Sequence, residues 1–221
     1  MAFPERTPPD LATLARMTRP KLFYFDIPAS RGEECRLALH LAGVDFEDVR
    51  IKFPDWPALK PSMPYGGMPV LELPGRPPLA HSNAILTFLG RSYGLHPKDD
   101  LEAARHEAMM CHVEDLRATV GPTLRIKDEA AKKEAREGLR ATFLPAWGAA
   151  AERNILAAPF FGGEKLSVVD LKIFVDVRWF AGGSVDHIPA TVFAEFPKLT
   201  GVYERVRDHD QVKTWYAKAQ S

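Results

Sequence analysis

Residues 21–51, KLFYFDIPASRGEECRLALHLAGVDFEDVRI, carry most of the fold in one stretch. In Lys21 to Phe25, Leu22 and Tyr24 point to one face and Phe23 and Phe25 to the other, the period of a β-strand. Ser30 followed three residues later by Glu33 has the spacing of a capping box. Cys35, Leu37, Ala38 and Leu41 then recur at helical spacing until Gly43 offers a C-terminal stop. Phe46 to Ile51 returns to a strand pattern, and strand, helix and strand within ~30 residues imply a right-handed parallel crossover.

Working outward, Pro54 to Pro69 is too interrupted by proline for a regular helix and reads as a shaped loop. Val70 to Leu73, a Pro74-Gly75 turn and Pro78 to Ala80 form a β-hairpin, with proline and glycine placed as a type II turn requires. Ser82 opens an apolar helix over Asn83 to Tyr93 that Gly94 closes. From Asp100 onward the composition and spacing are helical throughout. Glycine, proline and acidic residues between Leu95 and Asp99 mark the break. The expected organisation is a flexible extension over 1–20, an α/β domain over 21–95 and an all-helical domain over 100–221.

At 221 residues and 46% hydrophobic content, the chain can bury a substantial core. Lys plus Arg and Asp plus Glu both count 29, so no global field gathers nucleic acid or an acidic membrane surface. The 2 cysteines, Cys35 and Cys111, lie far apart without CxxC spacing, which argues against a disulfide scaffold, a zinc knuckle or a dithiol redox centre. No metal site is expected. The first ~20 residues lack the apolar core of a secretory signal, and no apolar run approaches the ~18 residues that span a bilayer. A cytoplasmic protein is the expectation.

Four local motifs now combine: KLFYF at Lys21 to Phe25, GGMPV at Gly66 to Val70, HSNAILTFLG at His81 to Gly90 and LSVVDL at Leu166 to Leu171. Each alone is weak, but together, on an α/β unit followed by helices, they resemble the cytosolic glutathione S-transferases over about residues 21 to 218. The strand tyrosine and the spacing of Trp56 and Lys60 look most like the sigma class, with alpha, mu and pi close. The resemblance implies a thioredoxin-like glutathione-binding domain, glutathione as co-substrate and a homodimer.

It also implies roles for particular residues. Tyr24 matches the tyrosine whose hydroxyl donates to the glutathione sulfur, and a strand tyrosine tied to backbone is the alternative. A charge-assisted hydrogen bond of ~1.5 to 3 kcal/mol lowers a thiol pKa by about one to two units, so one hydroxyl is enough. Arg31 is the nearest match to a second cation at the sulfur, although DIPASRG is one residue longer than the family's loop. Ser82, with His81 before it where glutamine is commoner, would hold the γ-glutamyl carboxylate at a helix N-terminus, where anions are favoured. Histidine there makes affinity depend on pH around ~6.5.

Met68, with Gly67 before it and a cis bond to Pro69, would pair through main chain with the cysteinyl unit. Trp56 and Lys60 resemble the groups that contact the glycyl carboxylate. Asp115, with Glu114 as its close rival, matches an acid that reaches across a twofold to the glutathione amine, and Tyr65 resembles an aromatic key for the partner subunit. Ser167 and Asp170, flanked by Leu166 and Leu171, form a capping box and staple that are structural. Cys35 reads as core, and Cys111 as a small apolar residue near the electrophile pocket. That pocket is expected near Ile27, Arg117 to Pro122 and Trp179.

The implied activity is conjugation of the glutathione thiolate to a small hydrophobic electrophile, as in detoxification. Glutathione-dependent isomerisation or peroxide reduction would use the same thiolate, and a non-catalytic binding or structural role is the third reading.

Overall fold

The computed structural model describes residues 19–156 and 158–218. Of the expected N-terminal extension only Arg19 and Pro20 fall within the described residues. Strand β1 (Lys21–Phe25) leads into helix α1 (Ser30–Leu41) and strand β2 (Glu47–Ile51), and β1 and β2 pair in parallel with Tyr24 opposite Arg50. The 53–62 stretch is a string of single turns around the four-residue helix α2 (Trp56–Leu59), because proline at each start removes a donor and prevents continuation. Strands β3 (Val70–Glu72) and β4 (Leu79–Ala80) form the hairpin, turning through Gly75 at φ 68°. β3 lies antiparallel to β1, so the sheet order is β2-β1-β3-β4. Helix α3 (Ser82–Tyr93) ends at Gly94, which takes the left-handed conformation that favours glycine.

The remaining elements are helical: α4 (Asp100–Val120), α5 (Glu129–Ala141), α6 (Phe143–Asn154), α7 (Val168–Ala181), α8 (Pro197–Asp208) and α9 (Asp210–Lys218). Helix α7 is buried on almost every side, and its run VVDLKIFVDV fills the centre of the molecule. Its start is tied to the connection after α3 by Val168 N–H donating to the Leu95 carbonyl at 2.9 Å. Cys35, Leu37, Ala38 and Leu39 of α1 are buried in the same core that holds Leu171, Ile173 and Phe174 of α7. Among the described residues, no helix is long and apolar enough to cross a membrane.

The capping box at Ser167 is formed: Ser167 N–H donates to Asp170 Oδ2 at 2.8 Å, and the other carboxylate oxygen takes Phe161 N–H at 2.8 Å. The one expected at Ser30 is not. Ser30 has φ 59°, no side chain among the described residues caps α1, and Glu33 is engaged elsewhere. Its carboxylate accepts from Trp215 Nε1 at 2.8 Å and faces Arg36 at 3.4 Å, so a residue spaced for local capping instead pins α9 onto α1. Cys35 is core, as its position in α1 suggests, and burial raises its thiol well above the ordinary value. Cys111 is not a buried apolar residue: it is exposed, with Asn83 Nδ2 donating to its sulfur at 3.8 Å.

Candidate active site

A cavity of about 500 Å³ opens where the 65–69 loop, the start of α3 and the middle of α4 meet. Eight of the residues singled out from sequence form its wall: Arg31, Tyr65, Gly67, Met68, Pro69, His81, Ser82 and Glu114. Ala80 and Asn83 complete it. The Met68-Pro69 peptide is cis. His81 is the N-cap of α3, with φ 67° and ψ 129°, and its ring tilts against Tyr65 at 5.1 Å. That turn aims the helix N-terminus, with its unpaired N–H groups, at the cavity, and Ser82 is the first residue of the helix rather than its cap.

Ser82 is 3% exposed and stands on a charged layer that sequence spacing does not disclose. Its Oγ accepts from Lys172 Nζ at 3.2 Å and donates to Glu114 Oε1 at 3.5 Å. Lys172, on α7, is fully buried, and its ammonium also reaches Glu34 Oε1 at 2.7 Å and Glu114 Oε1 at 2.5 Å. Arg117 joins Glu34 at 2.7 Å and Glu114 at 2.9 Å, and also pairs with Asp176. A cation inside a protein survives only when carboxylates surround it, and here α1, α4 and α7 each supply one. Burial works against the charge on Glu114, but Lys172, Arg117 and then Arg31 hold its carboxyl down at about 2. Burial lifts Asp176 to about 6 despite Arg117 beside it.

Arg31 is in the cavity wall despite the longer loop before it, and its Nε and Nη2 both donate to Glu114 Oε2, at 2.8 and 2.6 Å. Tyr24 lies behind the wall, 5% exposed, and Ser30 and the charges of Arg117 and Arg31 act on its hydroxyl. Its pKa is raised, chiefly by burial, while Ser30 and the charges of Arg117 and Arg31 pull the other way. Trp56 is outside the cavity, its ring edge-on to Phe25 at 5.6 Å. Lys60 is exposed, and its Cε runs past Gly66 at the cavity's edge. Asp115 is exposed on α4, one residue round from the cavity-lining Glu114.

The comparisons with known proteins agree with this anatomy. The family model "Glutathione S-transferase, N-terminal domain" matches residues 20–91, and "Glutathione S-transferase, C-terminal domain" matches 114–219. A 110-residue stretch is 46% identical to glutathione S-transferase 1 of Ascaris suum, covering 50% of this chain and 52% of that protein. The chain is 33% identical over 206 residues to probable glutathione S-transferase 7 of Caenorhabditis elegans, covering 90% of this chain and 96% of that one. The solved structure of prostaglandin synthase D of Nilaparvata lugens superposes with a TM-score of 0.80 at 27% identity, covering 91% of this chain and 98% of that chain. With both halves matched and a relative aligned along nearly its whole length, the chain belongs to the glutathione S-transferase family.

Proposed function

We propose that this protein binds glutathione in the cavity before α3 and conjugates it, through its thiolate sulfur, to a small hydrophobic electrophile, as detoxifying transferases do. The observation that carries this reading is the convergence of a helix N-terminus backed by buried cations with the main chain at Met68, one strand away from a protonated tyrosine. Glutathione offers matching chemistry in the same order: a γ-glutamyl carboxylate for the Ser82 N–H and hydroxyl, a cysteinyl unit for the Met68 main chain, and a glycyl carboxylate for Lys60 at the cavity's edge, with Trp56 beyond it. His81 borders the first of these.

Tyr24 acts in this scheme as a donor. Because burial raises its pKa, the phenol keeps its proton at neutral pH and cannot serve as a base. In this reading its proton is the one donated to the sulfur in front of it. A thiolate so held is favoured over the thiol, and the thiol proton passes to solvent. The sulfur lone pair then attacks the electrophilic carbon while the leaving group departs with its bonding pair, giving a thioether and an acid. The chain contributes positioning and thiolate stabilisation.

Asp115, exposed on α4, is in this reading available to a second copy of the chain, and a homodimer in the cytoplasm is part of the proposal. Tyr65, 75% exposed beside the cavity, suits the same contact. Glutathione-dependent isomerisation is the second reading, favoured by the likeness to prostaglandin synthase D. Retention on immobilised glutathione together with turnover of a generic aryl halide tests the primary reading. Retention without turnover of the halide or of an isomerisable electrophile leaves a binding protein, and failure of both refutes a glutathione role.

A further inference from the structure

The ammonium of Lys172 ends behind the cavity wall with its three N–H donors all taken: by Glu34 Oε1 at 2.7 Å, Glu114 Oε1 at 2.5 Å and Ser82 Oγ at 3.2 Å. The two carboxylates balance its charge. Ser82 is the neutral acceptor of the three, and it lines the cavity. A serine hydroxyl is ordinarily ambivalent, with one hydrogen to give and two lone pairs to receive. Here the ammonium fills a lone pair from behind. Among the described residues the hydrogen has one acceptor, Glu114 Oε1 at 3.5 Å, and that oxygen already takes shorter bonds from Lys172 and, at 2.9 Å, from Arg117. Ser82 is also the first residue of α3, so no carbonyl of a preceding helical turn stands behind it. Its hydrogen is left to face the cavity.

We propose that Lys172 determines specificity at this end of the cavity: by donating to Ser82 Oγ it fixes the serine as a donor, so that the site selects a carboxylate over a carboxamide of the same shape. This rests on the reading of the cavity as a glutathione site. The start of α3 offers N–H groups without helical partners, and with the hydroxyl fixed as a donor as well, both kinds of group give a hydrogen to the ligand. A carboxylate has lone pairs for all of them. A carboxamide brings an amino group that meets only donors there, because Glu114, the carboxylate in the wall, is already engaged at Oε1 by Lys172 and Arg117 and at Oε2 by Arg31. An N–H left unpaired in a closed site is what makes such a site reject an analogue. Without the ammonium, the hydroxyl is free to turn and accept from that amino group. Lys172 does not touch the ligand, so it is a positioning residue that acts through Ser82.

The test measures, by calorimetry on the full chain, the affinities of glutathione and of its analogue in which the γ-glutamyl carboxylate is a primary carboxamide. The parent is expected to prefer glutathione by about a hundredfold. Lys172→Met combined with Glu34→Gln, which leaves no buried carboxylate uncompensated, is expected to lower that preference about tenfold. In a Ser82→Ala background the same pair of changes should leave the preference nearly unaltered. A preference that survives the loss of Lys172, or falls by the same factor with and without the Ser82 hydroxyl, would overturn the proposal while leaving the glutathione reading intact. Should the Lys172 variants not fold, Ser82→Ala alone decides: the preference falls about tenfold if the hydroxyl is a fixed donor, and an unchanged preference overturns the proposal. Failure of both ligands to bind the parent would remove the glutathione reading and this inference with it. A ratio of two ligands on one protein is not moved by a loss of stability alone.

Discussion

The ring of Tyr24 lies directly against Gly32: a β-carbon at that position would stand 2.0 Å from Tyr24 Cδ1 and 2.6 Å from its Cβ. The first turn of α1 can rest on the strand only because residue 32 has no side chain, and this contact fixes where the phenol sits. Gly32→Ala must move either the ring or the helix. Overpacking of this kind costs ~1 to 3 kcal/mol. The expected outcome is a lower urea midpoint together with a loss of turnover larger than the loss of glutathione affinity. A variant as stable and active as the parent would show that the ring can shift freely.

The buried charges at Lys172 give a second expectation. Lys172→Met leaves Glu34 fully buried with Arg117 as its remaining cation, and Glu114 without its shortest contact. Breaking one side of a buried ion pair costs ~3 to 5 kcal/mol. Adding Glu34→Gln to Lys172→Met removes an uncompensated charge and should recover part of the loss. Chemical denaturation of the two variants checks this, and a double variant no more stable than the single one would contradict the pairing.

His106 supplies a pH dependence. It is 3% exposed, with Nδ1 facing Ser167 Oγ at 3.4 Å and Nε2 without a hydrogen-bond partner among the described residues, and its pKa is lowered from 6.5 to about 4 by burial and then by the charge of His96. A depressed base binds fewer protons when folded than when unfolded. Its contribution is therefore complete above 6.5 and is lost as pH falls toward about 4, by roughly 3 kcal/mol in all. Asp170 and Asp176, both lifted to about 6, act in the opposite sense, losing stability as pH rises from 3.8 to that value. The isolating measurement is the difference in denaturation midpoint between parent and His106→Gln at pH 7 and pH 4.5. The parent should lose ground relative to the variant at the lower pH, and a constant difference would refute the assignment.

Much of this is legible in the sequence because it is local. The β-α-β stretch, the hairpin at Pro74-Gly75 and the box at Ser167 are written in alternation, turn residues and spacing that operate within a few residues. The Gly67-Met68-Pro69 and His81-Ser82 segments likewise reach the cavity as short motifs. What local spacing does not convey is tertiary competition. Ser30 and Glu33 have the pattern of a cap, but Trp215, far along the chain, takes the carboxylate. Glu114 and Asp115 are adjacent acids on one helix, and only packing decides which of them faces Arg31. Lys172 did leave a trace: a lone lysine in VVDLKIFVDV, a run otherwise apolar except for two aspartates, must find carboxylates from other elements.

The most direct measurement is the ionisation of bound glutathione in the parent and in Tyr24→Phe, followed by ultraviolet absorbance of the thiolate against pH, with conjugation of an aryl halide measured alongside. Removing the hydroxyl takes away one charge-assisted hydrogen bond and leaves the ring against Gly32, so the fold should persist. The expected result is an apparent pKa well below ~8.5 on the parent that rises by about one to two units in Tyr24→Phe as turnover falls. A thiol that is unshifted on the parent, or equally shifted in both proteins, would mean that Tyr24 is a packing residue of β1 and that the sulfur is not activated by its hydroxyl.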